Sequence, residues 1–412
     1  MNHQKECMLG SAMEFAPLTL SEDDRLPTDM ELVMGYDGLL SPDAVAAAML
    51  RGLKSFPHLT GKIIRDPASA IEQIVSTSGT MRLEVVETMG PASIAGWQGM
   101  ALAEQSKAFI PGALDAAVAG SLWQARLTLF PDAGRSVIGL RVSHAAVDGS
   151  GLAWFIHQCT AEFRGADPCI VFHERIHGFG QKLDGPDDSP HGYREANSRA
   201  ASVWEDDALA RATPRVFTLP VSRIMARFGA SSWIDGRLRL SAWLCLAVAR
   251  LVPQNEEVGL WCDARGTNGI PASYTGNTGC FLHFPLRGTS DHDLARALRN
   301  VASRRGYARI ADTYRRIKLA ESRGHPLVWE GIEKNVLQLN LVPHAVAVTD
   351  FGKGLPTYAL LLSRNSSGLR IALAPDTEHL IIEACLPDAV GQGLVEECRQ
   401  AGLAPVSWCA GS

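Results

Sequence analysis

The chain has 412 residues, 46% hydrophobic and 20% charged, with a formal net charge of −5. This is the composition of an ordinary globular protein long enough for two or three cores; it excludes a low-complexity chain and offers no global field for nucleic acid. Nine cysteines, an odd number with no C-x-x-C pair, argue against a disulfide framework and for reduced thiols in a cytoplasmic protein. The opening MNHQKECMLGSAMEF lacks the basic head and apolar run of a signal peptide. No stretch approaches the ~18 apolar residues of a spanning helix, so no membrane association is expected.

Ser21 to Asp24 carry a helix-start signal, limited by Pro27. Glu31 to Leu39 reads as a strand. Ser41-Pro42 then opens a helix with a capping hydroxyl and a first-turn proline, and Val45, Met49, Leu50 and Leu53 give it an apolar stripe. The helix ends before Phe56 to Ile63, where Pro57 and Gly61 punctuate the chain. Leu122 to Phe130 alternates, with Trp123, Ala125, Leu127 and Leu129 on one face. Ser136 to Val142 alternates too, through Ile138, Leu140 and Val142, so two strands are predicted across the turn Pro131 to Gly134. Counting on by twos, His144 leaves the second strand on its apolar side. Asp148, Gly149 and Gly151 follow, and then Leu152, Phe155, Ile156, Cys159 and Phe163 fall at helical spacing up to Arg164. The product is a buried strand, a tight corner carrying His and Asp, and a helix. A histidine there can be a general base, and the acid can fix the corner.

His173 to His177 spells H-E-x-x-H, a zinc pattern that needs both histidines on one helical face and a third ligand. Leu183 occupies the position of that third ligand in the longer pattern. Pro168, Ile170 and Val171 before the motif, and Gly178 and Gly180 at its end, predict an extended segment, and no metal is expected. From Gln181 to Ala210 the chain turns polar and Pro- and Gly-bearing, which reads as an interdomain crossover. Beyond it, an apolar helix spans Leu240 to Val252 and a strand spans Val258 to Cys262. Three further motifs follow: Asp263-Ala264-Arg265, Tyr274-Thr275-Gly276-Asn277 and Asp350-Phe351-Gly352-Lys353-Gly354.

His144 to Gly149 resembles the H-x-x-x-D-G signature of the acyl-CoA-dependent BAHD acyltransferases. More widely it resembles the superfamily of chloramphenicol acetyltransferase and peptide-synthetase condensation domains. Phe56 to Ile63 is similar to the family's P-x-x-x-G turn. The D-x-R, the Y-x-G-N, the D-F-G-x-G and the closing Leu380 to Pro387 keep the family's order from about Leu20 to about Val395. Lys353 departs from the family's usual tryptophan. The resemblance implies an α/β fold of two similar chloramphenicol-acetyltransferase-like domains, each a mixed sheet flanked by helices. The expected division is 1–180, a crossover at 181–212, and 213–412, with a solvent channel between the domains.

The resemblance further implies transfer of an acyl group from acyl-CoA to a hydroxyl or amine of a small, secondary-metabolite acceptor. His144 would be the base in a ternary complex, since a neutral imidazole with pKa near ~6.5 suits that task. Asp148 would point away from the base and hold the corner through an ion pair, and Gly149 would give the corner backbone room. Asp350 would pair with Arg265, tying the D-F-G loop, with Gly352, to the D-x-R strand. Asn340 is the expected oxyanion donor, although Leu341 replaces the tryptophan that usually follows it. Lys353 reads as a solvated loop lysine, or near the channel as a partner for an acidic acceptor or a CoA phosphate. Arg299, Arg304, Arg305, Arg309, Arg315, Arg316 and Lys318 could serve CoA phosphates, though no single residue is assigned to them. No permanent cofactor, nucleic acid or membrane partner is expected, and a monomer suffices. Two alternatives stand beside this reading: a condensation-type enzyme using a carrier-protein thioester, against which Ser143 replaces that group's doubled histidine, and a non-catalytic small-molecule binder.

Overall fold

The two expected strands on either side of Pro131 pair antiparallel, from Trp123↔Val142 to Phe130↔Arg135, with Gly134 in the left-handed conformation closing the turn. The structure, a computed structural model, describes residues 2–20, 29–65, 72–78, 80–88, 108–112, 114, 122–167, 171–175, 193–195, 215–252, 257–263, 265–266, 270–302, 327–329, 337–342, 349–362 and 368–407. The helix-start signal at 21–24 lies outside these residues, as does the crossover 181–212 apart from Tyr193–Glu195.

The first half contains β1 (Asn2–Ser11), β2 (Leu18–Thr19), β3 (Asp29–Tyr36), α1 (Pro42–Ser55), β4 (Lys62–Arg65), β5 (Glu72–Val75) and β6 (Thr80–Thr88). It continues through β7 (Trp123–Phe130), β8 (Arg135–Ser143), α2 (Gly149–Thr160) and β9 (Tyr193–Glu195). The second half begins with β10 (Arg215–Pro220), α3 (Val221–Phe228), α4 (Trp233–Leu251), β11 (Glu257–Asp263), β12 (Gly279–Pro285) and α5 (Asp291–Ala302). It ends with β13 (Leu327–Trp329), β14 (Leu337–Leu341), β15 (Tyr358–Leu362), β16 (Gly368–Leu373), β17 (His379–Cys385), α6 (Asp388–Gln400) and β18 (Val406–Ser407).

Two mixed sheets dominate. The first has the order β1-β6-β7-β8-β3-β15, and the second β12-β11-β14-β16-β17-β10-β18; β2-β5-β4 and β13-β9 are small additions. The pairs β6–β7, β11–β14 and β14–β16 are parallel. β15 comes from the second half yet completes the first sheet, running antiparallel to β3 from Tyr358↔Gly35 to Leu362↔Glu31.

Period-2 alternation decides which residues each sheet sends to each side. Leu32, Met34, Ile138, Leu140 and Val142 pack under α1 and α2 against Val45, Met49, Leu53, Phe155 and Ile156. On the second sheet, Phe217, Leu339, Leu369, Ile371 and Ile382 pack against Leu240, Leu244 and Val248 of α4 and Leu394 of α6. A third cluster joins the opposite faces of the two sheets: Val33, Val137, Tyr358 and Leu360 of the first meet Val216 and Ile381 of the second. The two halves are therefore packed sheet to sheet, with helices on the outer faces. Among the described residues no helix is long and apolar enough to cross a membrane.

Candidate active site

Strand β8 delivers the chain to the corner. After Ser143 the backbone turns back on itself: the N–H groups of Ala146 and Val147 donate to Ser143 O at 3.0 and 3.3 Å. Asp148 then caps α2, its Oδ1 accepting from Gly151 N at 2.9 Å. The turn holds His144 half-buried, with Nδ1 enclosed and without a hydrogen-bond partner among the described residues. Nε2 is the ring nitrogen left open.

The corner is locked to the second half by Arg265. Its Nη2 and Nη1 donate to Asp148 Oδ1 and Oδ2 at 2.6 and 2.9 Å, the bidentate geometry a planar guanidinium favours. The remaining donors are used as well: Nε on Tyr274 O at 2.6 Å, Nη2 on Gly276 O at 2.7 Å, and Nη1 on Asp263 Oδ1 and Thr278 Oγ1. Burial alone would weaken the arginine's hold on its proton, but Asp148 and Asp263 outweigh it and raise its pKa above the ordinary value. Asp263 is pushed up by burial, and Arg265, its own backbone bond and the hydroxyls of Ser150 and Thr278 bring it below the usual carboxylate value.

This arrangement corrects the expected pairing of Arg265 with Asp350. The partners of Arg265 are Asp148 and Asp263, whereas Asp350 Oδ1 accepts from Gly352 N, Lys353 N and Gly354 N at 2.6, 3.0 and 2.9 Å. A carboxylate aimed at three consecutive N–H groups closes a loop on itself. Gly352 has φ +95°, where a side chain would be strained. That loop lies at the other end of the first sheet: Tyr36 Oη donates to Thr349 O, and Tyr36 pairs with Ser136, seven residues from Ser143. At ~3.3 Å per residue the separation from the corner is about 23 Å. Lys353 is exposed there, against Gly38.

Gly149 stands in open space. A Cβ on it would meet nothing within 4 Å, so the close approach is not there. It is at Gly151, where a Cβ would stand 2.6 Å from Thr275 O. Asn340 stands half-buried on β14, in register with Arg370, whose guanidinium reaches Glu383 at 2.6 Å and Leu361 O at 3.4 Å. Since Leu361 belongs to β15, Asn340 is on the face that looks toward the first sheet.

The asparagine that touches the corner is Asn277, whose Nδ2 donates to His144 O at 2.7 Å. Arg175 donates through Nη2 to Ala146 O at 2.5 Å, and His173 and fully buried His58 lie behind it, their rings 4.8 Å apart. The backbone at 171–175 forms no helix: Phe172 is bridged to Tyr274, the chain bends at Glu174, and both nitrogens of His173 are engaged, by Thr275 Oγ1 and Ser55 O. This is not the helical geometry of a zinc motif; His177 lies outside the described residues. Burial holds both imidazoles neutral, helped for His58 by its neighbour His173 and then Arg175, and for His173 by Arg175 against the contact with Ser55 O: His58 falls well below 6.5 and His173 to about 4. Of the basic run, Arg299 is paired with Asp235, and the residues from Arg304 to Lys318 lie outside the described residues.

No protein-family model and no curated protein sequence matches the chain. Solved structures do match its fold over nearly its whole length. TRI101 of F. sporotrichioides, in complex with coenzyme A and T-2, superposes with a TM-score of 0.70 at 13% identity, covering 96% of this chain and 100% of that one. Vinorine synthase gives 0.67 at 12% identity, covering both chains completely. The first condensation domain of the CDA synthetase gives 0.59 at 14% identity, over 94% of this chain and 95% of that one. The chain therefore has the mixed α/β, chloramphenicol-acetyltransferase-like fold of two domains that its motifs implied. It is the fold common to BAHD-type proteins and condensation domains.

Proposed function

We propose that the chain is an acyltransferase that moves an acyl group from acyl-CoA to a hydroxyl or amine of a small-molecule acceptor, with His144 as general base. The observation that carries this reading is a half-buried imidazole on a corner locked by Asp148 and Arg265, with Nε2 open. Structures of this fold that hold coenzyme A together with a small molecule support it.

In the proposed reaction the acceptor's lone pair attacks the thioester carbonyl while its proton passes to His144 Nε2. The tetrahedral oxyanion then collapses, the C–S bond breaks, and the thiolate takes the proton back from Nε2, releasing CoA. Such base catalysis is worth about 10²–10⁴-fold. Asp148 takes no proton in this scheme. Its Oδ1 already accepts from Gly151 N and Arg265, and its Oδ2 from Arg265 and Thr278 N at 3.2 Å, so it positions the corner rather than relaying charge. Asn340, on the inner sheet face, is the proposed oxyanion donor. Acyl-CoA is a co-substrate and no resident cofactor is required. The division into 1–180, 181–212 and 213–412, with β15 of the last part lent to the first sheet, a channel between the domains and action as a monomer belong to the same proposal.

The likeness to a condensation domain favours one second reading, a carrier-protein thioester as donor. Thiol release from a panel of acyl-CoAs with mixed alcohols and amines tests the first. Acceptor-dependent release that collapses in His144→Ala supports it. Release only from phosphopantetheinyl-protein thioesters would replace free CoA with a carrier.

A further inference from the structure

The turn that carries His144 sends its N–H groups back to Ser143 O, and two of its carbonyls are taken by side chains from elsewhere. His144 O accepts from Asn277, and Ala146 O accepts from Arg175 Nη2 at 2.5 Å. Arg175 is buried, only 5% exposed, and comes from neither sheet. It sits at the end of the segment 171–175, which is tied to the second half by Phe172 N on Ser273 O at 3.0 Å and Thr275 N on Phe172 O at 2.9 Å.

Behind Arg175 the hydrogen bonds run in one direction. Ser55 O can only accept, so His173 Nε2 carries the proton in their 2.5 Å contact and His173 Nδ1 is an acceptor. Thr275 Oγ1 lies 3.1 Å from that Nδ1 and 3.3 Å from Phe172 O, and its one proton can go to the nearer nitrogen; either acceptor leaves the hydroxyl's lone pairs for Arg175 Nη1 at 3.4 Å. The guanidinium has donors only. A chain of donors and acceptors thus leads from the C-terminal end of α1, through His173, Thr275 and Arg175, to the carbonyl of Ala146.

We infer that Arg175 is a positioning residue for His144: by holding Ala146 O it fixes the peptide planes of the 144–147 turn, and so the direction in which the imidazole presents Nε2. This rests on the acyl-transfer reading for its catalytic consequence, but not for its geometry. Loss of a donor to a buried carbonyl frees that peptide to rotate toward another partner, and a displacement of about 1 Å at a reacting group can lower turnover on the order of 10²-fold. Arg175 contacts neither donor nor acceptor in this account, so its removal should lower kcat and leave KM unmoved.

The test compares wild type, Arg175→Met, Arg175→Lys and Thr275→Val in the CoA-release assay. It adds the ¹⁵N shifts of His144 in histidine-labelled protein, assigned by the signal lost in His144→Ala. Arg175→Met is expected to lower kcat on the order of 10²-fold, with both KM values within about threefold of wild type, and to change the ¹⁵N shifts of His144. Arg175→Lys keeps a cationic donor and should recover most of kcat. Thr275→Val, which loosens the arginine from behind, should give a smaller fall in kcat with the same unmoved KM. Unchanged kcat and unchanged His144 shifts in Arg175→Met would overturn the inference, as would a loss in KM alone. If Arg175→Met does not fold, the lysine and valine variants decide by the same two readouts. If wild type releases no CoA from any donor, the acyl-CoA reading fails by itself, and the His144 shifts alone decide the role of Arg175.

Discussion

Removing Arg265 should destabilise the protein far more than removing the charge of Asp148, and the two losses should not add. Arg265→Met leaves Asp148, with an 11% exposed side chain, and Asp263, with a 38% exposed one, without their shared cation. It also strips the donors from Tyr274 O and Gly276 O. Breaking a buried pair from one side typically costs about 3–5 kcal/mol, and the stranded carbonyls place this variant at the upper end. Asp148→Asn is milder. The amide keeps the shape but sets its NH2 against N–H donors, and Arg265 retains Asp263 at 3.0 Å as counter-ion, so about 2 kcal/mol is expected. In the double variant the more deeply buried carboxylate is gone along with the arginine, and only the more exposed Asp263 stays unpaired. Its cost should fall short of the sum of the singles by at least ~1.5 kcal/mol. Urea unfolding of the four proteins, followed by circular dichroism, closes the cycle. Costs that add to within about 0.5 kcal/mol would refute the view that this arginine acts chiefly by compensating Asp148.

Because the folded-state pKa of His173, and further that of His58, lies below the ordinary ~6.5, their contribution to stability is complete above pH ~6.5 and is lost as the pH falls toward 4. For His173 the full loss is about 3 kcal/mol, so melting curves from pH 7.5 to 4.5 should show a steeper fall for wild type than for His173→Gln; parallel curves would contradict the burial argument. Gly151→Ala, whose Cβ meets Thr275 O, should cost about 1–3 kcal/mol, while Gly149→Ala in open space should be neutral, as thermal unfolding of the pair would reveal. Asp350→Ala releases three N–H groups of a solvent-facing loop and should cost about 1–2 kcal/mol, yet leave turnover unchanged, as should Lys353→Ala. A fall in kcat for either would mean that the loop communicates with the corner across the first sheet.

What the sequence made legible is what is local. The alternation of β7 and β8, the cap and proline of α1 and the helical spacing of α2 each state their own conformation within a dozen residues. The corner could be read because strand, turn and cap follow one another without a break. The distant partner of Arg265 could not: its pairing with Asp148 spans 117 residues, and Asp148 and Asp350 are chemically equal candidates until the fold brings one of them near, whereas Asp263 is only two residues away. The self-closed loop at Asp350 did have a local signal, an acid followed by glycines two and four residues later. Gly149 and Gly151 differ only in what stands opposite them, which is a tertiary fact. Arg175 was hidden inside a zinc-like string, His-Glu-Arg-Ile-His, and nothing local marks its reach to the carbonyl of Ala146, 29 residues away. Tyr358–Leu362 has the pattern of a strand but nothing that says which sheet receives it.

The measurement that bears most directly on the whole account is CoA release by wild type and His144→Ala, with both proteins first shown to unfold at the same urea midpoint. The account predicts acceptor-dependent thiol release that drops about 10²–10⁴-fold in the variant. Equal release from the two proteins, or none from wild type with any acyl-CoA, would contradict it.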